Sequence, residues 1–170
     1  MNILDEEVFS VIMAIIVISS ILSAGTIIRE GFYRDSFSAI GLLNKDCLLG
    51  DYPDKALVNG TIELCIFIYN HEGKPILYKV LYKVGFNNTI PSNTTPSIEP
   101  IIREFYSILN HNSNTTFKVN IQVNPPRSIK DGETLALIFE LWRLNPGNKQ
   151  WEYTGRWVHL YIKAYKVPLE

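Results

Sequence analysis

The side chains best suited to metal or acid–base chemistry are those of three histidines and two acids, Glu72 and Asp51. His71 stands beside Glu72, while His111 and His159 lie far along the chain. No two of the histidines have the short spacing that metal ligands take within one motif. An envelope enzyme or metal-dependent module would need His71 and Glu72 to converge with His111 or Asp51. We keep that as the alternative function and predict no catalytic, cofactor-binding or metal-ligating residue.

Other signatures of catalysis are missing from the sequence. There is no Gly-x-Ser-x-Gly, no phosphate-cradling glycine loop, no His-Glu-x-x-His and no calcium-loop pattern. The formal net charge is −1, so no electrostatic field favours a nucleic acid partner. These observations favour a protein that is not an enzyme and does not bind nucleic acid.

The two cysteines, Cys47 and Cys65, lack the tight spacing of redox or zinc pairs. In an extracytoplasmic domain they could form a disulfide. The alternative is two independent small apolar residues, with Cys65 inside a strand. Spacing alone does not decide, because a disulfide needs Cα atoms within about 7 Å of each other.

Aromatic residues cluster near the end of the chain, where Arg143 and Arg156 could stack on their rings. Exposed aromatics supply much of the binding energy of interfaces. The alternative is core packing and cross-strand pairing. The predicted partner surface, for a protein or a glycan, comprises Trp142, Trp151, Tyr153, Arg156 and Trp157.

Four Asn-x-Thr sequons mark candidate N-glycosylation sites on an extracytoplasmic domain. The alternative is a set of polar turns, since Asn and Thr favour turns. The acceptors would be Asn59, Asn87, Asn93 and Asn114.

Period-two alternation identifies the strands that must position these residues. Residues Thr61–Ile68 place Ile62, Leu64, Ile66 and Ile68 on one face, as in a half-buried strand. The next strand, Pro75–Phe86, follows a short polar turn, so we predict a β-hairpin.

The remaining alternation predicts about seven short strands separated by turn signals. That pattern, in an aromatic-rich and Val/Ile/Thr-rich chain, is typical of an all-β, immunoglobulin-like sandwich. Residues 101–109 fit a short helix or a strand equally well. The polar connection 87–100 is long for a compact domain, so we expect it to be functional or mobile. The other predicted strands are Phe37–Leu43, Thr115–Val123, Thr134–Leu144 and Trp151–Val167.

Residues 8–28 form an uninterrupted stretch without charge or proline. As a helix, 21 such residues would span roughly 31 Å, close to the hydrocarbon thickness of a bilayer. We predict one N-terminal transmembrane α-helix; the alternative is a signal peptide cleaved near Ser23-Ala24-Gly25. Arg29 and Arg34 favour a cytoplasmic domain, but the sequons oppose this and we place the domain outside.

These elements divide the chain into five predicted segments. They are a short tail (1–7), the transmembrane helix (8–28), a tether (29–35), the β-sandwich (36–167) and a C-terminal tail (168–170).

Several short blocks follow one another along the chain. They are Phe37-Ser-Ala-Ile-Gly-Leu-Leu-Asn44, Asp51-Tyr-Pro53, Asn59-Gly60, Tyr69-Asn-His-Glu-Gly73, Tyr78-Lys-Val80, Glu140-Leu-Trp142 and Tyr153-Thr-Gly-Arg-Trp-Val-His-Leu-Tyr161. In this order they resemble the archaeal domain-of-unknown-function family 1616, over about residues 36–163. The resemblance implies a membrane-anchored extracytoplasmic β-sandwich whose function is not established, and it supplies no catalytic residues. Many members carry several membrane helices, whereas one is predicted here.

The sequence therefore predicts a single-pass membrane protein with its C-terminal domain outside the cell. Its partners would be the lipid bilayer, through residues 8–28, and a protein or glycan at the cell surface. The expected function is a binding or structural module of the archaeal cell envelope, acting as an accessory or interaction protein without a cofactor. A spacer role is a third possibility.

Overall fold

A computed structural model describes residues 6–32 and 36–166, and within the helix the side chains of residues 8–23. The chain forms two compact units, residues 1–35 and 36–170. The predicted tail 168–170 lies outside the described residues. So do most of the tail 1–7 and the last part of the tether 29–35.

The first unit contains one helix, α1 (Glu6–Phe32), of 27 residues. The predicted N-terminal helix is therefore present, and it continues beyond residue 28. Its apolar side chains between Val8 and Leu22 are exposed, from 42% at Ile12 to 66% at Leu22. Among the described residues, no helix has both the length and the apolar character needed to cross a membrane.

The second unit is a sandwich of two sheets, which confirms the all-β, two-layer prediction. Its strands are β1 (Phe37–Leu43), β2 (Lys55–Leu57), β3 (Thr61–His71), β4 (Ile76–Gly85), β5 (Arg103–Leu109), β6 (Ser113–Gln122), β7 (Glu133–Asn145) and β8 (Gln150–Tyr165). A three-stranded sheet has the order β1-β3-β6, and a five-stranded sheet has the order β2-β8-β7-β4-β5. The ambiguous segment 101–109 contains the strand β5.

The described residues form eight strands rather than about seven. The additional strand, β2, has three residues and pairs in parallel with the end of β8. Three residues are too few for alternation to reveal a strand, so sequence analysis missed it.

The core lies between the two sheets, on the faces that alternation predicts. In β3, Leu64, Ile66 and Ile68 are buried. In β7, Leu135 and Phe139 are buried on the corresponding face of the opposite sheet. Alternation identified these inward faces because each sheet packs one side against the other.

The predicted hairpin of β3 and β4 is wrong, because the two strands belong to different sheets. β3 lies between β1 and β6, whereas β4 lies between β7 and β5. Residues 72–75 therefore carry the chain from one layer to the other. Crossing between layers lets both strands face the same core while each pairs with other neighbours.

The buried side chain of Asn70 stabilises this crossing. Its amide donates hydrogen bonds to the carbonyls of Lys74 (2.9 Å) and Leu109 (2.8 Å), and its oxygen accepts from the Glu72 amide (2.9 Å). The Tyr78 hydroxyl also donates to that oxygen. Burial raises the pKa of Tyr78 to about 12, so the hydroxyl remains a donor at neutral pH. Asn70 thereby links both layers.

The structure brings Cys47 and Cys65 together in a disulfide, with their Cα atoms 5.2 Å apart. Cys65 is buried in β3, and Cys47 lies in the loop that follows β1 with φ of 60°. The bond fixes this loop against the central strand of the three-stranded sheet.

We predict that replacing both cysteines with alanine lowers the free energy of unfolding by about 3 kcal/mol, because the 18-residue separation gives the unfolded chain a loop whose closure restricts it. Urea unfolding with and without dithiothreitol measures this. Reductant should destabilise the wild type to the same extent and leave the double variant unchanged. Equal unfolding midpoints for the oxidised wild type and the double variant would contradict the prediction.

Candidate functional site

Aromatic side chains form a cross-strand row on the outer face of the five-stranded sheet. Tyr106 on β5 pairs with Lys79 on β4, Lys79 pairs with Trp142 on β7, and Trp142 pairs with Tyr153 on β8. Directly paired residues project from the same side of a sheet. Trp151, two residues before Tyr153, joins the row. We call these five residues the aromatic face.

The rings of the aromatic face contact each other across strands. The ring centroids of Trp142 and Tyr153 are 5.4 Å apart, and those of Tyr106 and Trp151 are 5.9 Å apart. The Lys79 ammonium lies 4.7 Å from the Trp151 ring centroid, within cation–π distance. Tyr106 is 56% exposed, and the two tryptophans are half-buried. The face is therefore accessible, with each ring held by a neighbour.

The structure divides the predicted partner surface into two parts. Trp142, Trp151 and Tyr153 belong to the aromatic face. A register shift between β7 and β8 pairs Leu141 with Arg156 and Trp142 with Tyr153. Arg156 therefore lies beyond the bulge, on the opposite side of β8 from the next residue, Trp157.

Two further aromatic contacts of β8 lie along its remaining length. Trp157 packs against His159, with ring centroids 5.2 Å apart, and His159 contacts Tyr161 edge-on at 4.6 Å. This row continues on the outer side of β8. The sequence signal for the register shift between β7 and β8 is Gly155, because a glycine within a strand often marks a bulge.

Arg143 does not stack on these rings, contrary to expectation. Its Nη1 atom donates to the Glu72 carboxylate at 2.8 Å, and its Nε atom lies 3.5 Å from Glu152. The Ser38 hydroxyl donates to the other Glu72 oxygen at 2.6 Å. Two carboxylates attract the guanidinium more strongly than a ring would.

A buried ion pair lies beside the aromatic face, on the same outer side of the five-stranded sheet and under the 87–100 loop. Lys83 Nζ lies 3.0 Å from Glu140 Oε2, and the Glu140 side chain is fully buried. The Ser97 amide donates to Glu140 at 2.5 Å, and Lys83 donates to the Ser97 carbonyl at 2.7 Å. The Trp142 indole also donates to Glu140, at 3.2 Å. One carboxylate thus orients an aromatic ring and holds a loop residue.

Sequence analysis missed this ion pair. Its signal is a charged residue with large apolar or aromatic residues on both sides, as Lys83 and Glu140 have in their strands. Such a residue is rarely buried unless it is paired.

The long connection 87–100 is structured and packs along β8. The Tyr153 hydroxyl donates to the Ser92 carbonyl at 2.9 Å, and the Tyr161 hydroxyl donates to Asn87 at 2.5 Å. A Cβ atom at Gly155, whose φ is 71°, would lie 2.3 Å from the Asn93 carbonyl oxygen. The loop therefore forms part of the site's rim.

The alternative site would use His71, Glu72, His111 and Asp51. Of these four residues, the structure brings the rings of two into contact. The rings of His71 and His111 are 4.8 Å apart. His71 Nδ1 lies 2.5 Å from Asn112 Oδ1, and the Gly73 amide donates to His111 Nδ1 at 3.0 Å. Glu72 is instead occupied by Arg143. Among residues 6–32 and 36–166, no group of three or more His, Cys, Asp or Glu could hold a metal ion.

All four predicted glycan acceptors are exposed. Asn59 lies in a tight turn with φ of 64°, and Asn114 lies on the edge strand β6. Asn87 and Asn93 lie in the loop that packs against β8. Their modification stays a prediction.

No protein-family model and no curated protein matches the chain. Solved structures with weak similarity to the chain include the three described here. A β-glucosidase from Listeria innocua gives a TM-score of 0.46 at 6% identity, over 78% of this chain and 17% of the enzyme. The chain thus spans about a sixth of that enzyme's length.

The other two structures are single domains of comparable size. A CARDB domain from Pyrococcus furiosus, determined in complex with di-metal ions, gives a TM-score of 0.40 at 11% identity, over 76% of this chain and 87% of the domain. The ASH/PapD-like domain of human CEP192 gives 0.32 at 11%, over 77% and 87%. Similarities this weak assign no function to the chain.

We predict that Glu140→Gln lowers the free energy of unfolding by about 3 kcal/mol or more, because it leaves the Lys83 ammonium buried without a counter-charge. Urea unfolding measures the loss, and amide exchange at Ser97 should accelerate. Glu104→Gln is the control, since its ion pair with Lys79 is more exposed and should be worth about 1 kcal/mol or less. Equal losses for the two variants would contradict the prediction.

We also predict that stability falls as pH decreases below about 6.5, partly through His159. Partial burial lowers the pKa of His159 in the folded protein. In acid the unfolded chain therefore binds a proton at this residue before the folded protein does, which favours unfolding. His159→Phe should reduce the fall in urea midpoint between pH 7 and pH 5. An identical pH dependence in both proteins would rule out this contribution.

Proposed function

We propose that the protein is a non-catalytic binding module of a cell envelope, with the aromatic face as its partner surface. The observation that supports this proposal is the row Tyr106–Lys79–Trp142–Tyr153, which is accessible on the outer side of the five-stranded sheet. Large rings already held by neighbours lose little conformational entropy on binding, which suits them as interface anchors.

The chemistry of the aromatic face fits a partner with both apolar and polar groups. Trp151 and Tyr106 offer ring surface, while Lys79 and the carboxylate of Glu104, 3.6 Å apart, offer charge beside it. A protein loop or a glycan presents such a mixture. The role proposed here is accessory or structural within a larger assembly.

We further propose that residues 8–28 anchor the module in a lipid bilayer, with the β domain outside. The support is the uncharged sequence of this segment and the exposed apolar side chains of the helix. The accessible sequons and the disulfide suit an oxidising, extracytoplasmic compartment. The immunoglobulin-like class and an archaeal source are proposals that rest on strand pattern and resemblance.

The alternative, an envelope enzyme or metal-dependent module at the His71–Glu72 turn, has less support. His71 and His111 are in contact, but the Glu72 carboxylate is bound by Arg143 and Ser38. A general base or metal ligand needs free lone pairs.

We predict that Trp151→Ala lowers partner binding at least tenfold, the effect of losing an interface anchor worth about 1.4 kcal/mol or more. The probe is a photoreactive phenylalanine analogue at position 106 of the full chain in its native membranes, and the readout is the yield of crosslinked protein or glycan adduct.

Lys118→Ala, on the outer face of the three-stranded sheet, is the control for this experiment. It should change neither adduct yield nor urea midpoint. An unchanged yield in Trp151→Ala, or an equal yield from a photoreactive residue at position 118, would overturn the proposed surface.

A further inference from the structure

A groove of about 550 Å³ lies where an edge of one sheet faces an edge of the other. Residues Phe37–Ile40 of β1 form one wall. Gly155, Arg156 and Trp157 of β8 form the other, with Asn93 beside them. We call this the seam groove. It is separate from the aromatic face, which lies on the outer side of the five-stranded sheet.

The wall formed by β1 presents unpaired backbone groups. β1 pairs with β3 alone, and alternate residues of an antiparallel strand turn their N–H and C=O groups to opposite edges. The Tyr52 hydroxyl donates to the Leu42 carbonyl at 2.7 Å, so we assign that carbonyl to the outer edge. The same alternation turns the backbone of Ser38 and Ile40 into the groove.

The neighbouring strand supports this assignment. The Asn112 amide donates to the Asn70 carbonyl at 2.8 Å, so Asn70 directs its backbone towards β6. Its partner in β1 is Ser38, which therefore belongs to a pair without mutual backbone hydrogen bonds. Both observations direct the backbone groups of Ser38 away from β3. Ser38 itself is buried, at 3% exposure, whereas Ile40 is only partly buried and is the more accessible of the two.

The wall formed by β8 is unpaired as well. β2 covers only Lys163–Tyr165 of this strand. The Lys163 amide donates to the Asp54 carbonyl at 2.8 Å, on the side of β2. Alternation then directs the backbone of Trp157 to the same edge, into the seam groove.

β1 also lacks the usual protection of an edge strand. Natural edges carry charged residues or proline, which discourage pairing with another chain. The other edge strands in the described part of the chain each carry a charge, as Lys55 in β2, Arg103 in β5 and Lys118 in β6 show. β1, with the sequence Phe-Ser-Ala-Ile-Gly-Leu-Leu, has neither charge nor proline.

Arg156 supplies the groove with an unpaired positive charge. It is exposed, and within residues 6–32 and 36–166 its guanidinium makes no hydrogen bond or ion pair. Arg127 and Arg143, by contrast, each bind a glutamate. A guanidinium at the wall of a peptide-sized groove matches a carboxylate.

We propose that an extended segment of a partner protein pairs with β1 in the seam groove, with an aspartate or glutamate bound by Arg156. Backbone hydrogen bonds to Ile40 hold the segment, and the carboxylate bound by Arg156 sets its register; this is strand addition to a sheet edge. A second copy of this chain fits less well, because its β1 carries no acid and would leave Arg156 unpaired. The inference does not depend on the proposed function of the aromatic face.

The experiment selects phage-displayed random heptapeptides on the full chain in detergent micelles. Enriched peptides should contain an acidic residue among β-branched residues. Synthetic versions of these peptides should bind. N-methylation of every second residue should abolish binding for only one of the two alternating sets of residues, because only that set directs its backbone N–H donors towards β1. Arg156→Glu should lower the affinity for an acidic peptide at least tenfold and enrich basic peptides instead.

Arg103→Glu, on the edge strand β5, is the matched control with the same change of charge and should leave peptide affinity unchanged. Peptides without an acidic preference, or with equal affinity for wild type and Arg156→Glu, would overturn the proposal. A dimer in which residue 39 of one chain crosslinks to residue 39 of another would also overturn it, in favour of a second copy.

Discussion

The buried charge of Glu140 is the constraint on which the outer side of the five-stranded sheet depends. Removing a carboxylate and an ammonium from water costs several kcal/mol per ion, so the pair persists only where other groups complete its hydrogen bonds. Lys83, Ser97 and Trp142 do this from a neighbouring strand, from the long loop and from the same strand. The Glu140 carboxylate therefore couples the position of the 87–100 loop to the orientation of the Trp142 ring beside it.

Alternation predicts which side of a strand faces the core, because that side must be apolar whatever the strand's neighbours are. It does not predict the sheet to which a strand belongs, because both sheets offer the same apolar environment. This is why the inward residues of β3 were predicted correctly and the β3–β4 hairpin was wrong. The deciding interaction is made by Asn70, a residue whose sequence context indicates only a turn.

The candidate site was predictable in composition and not in arrangement. The clustering of Trp142, Trp151 and Tyr153 follows from their positions on adjacent strands. The separation of Arg156 from them follows from a bulge, whose position depends on how Gly155 packs under Asn93. Local sequence marks a glycine there, but the carbonyl that excludes a side chain comes from about sixty residues away.

The disulfide has a mechanical consequence. If tension is applied at residue 36, it acts first on β1, which pairs with a single neighbour and can detach without disturbing the rest of the three-stranded sheet. Detachment would release about eleven residues, roughly 36–40 Å of extended chain, before the pull reaches Cys47. There the covalent bond transfers the load to Cys65, in the central strand of that sheet. The domain would thus lengthen by a limited distance under load while its core stays folded.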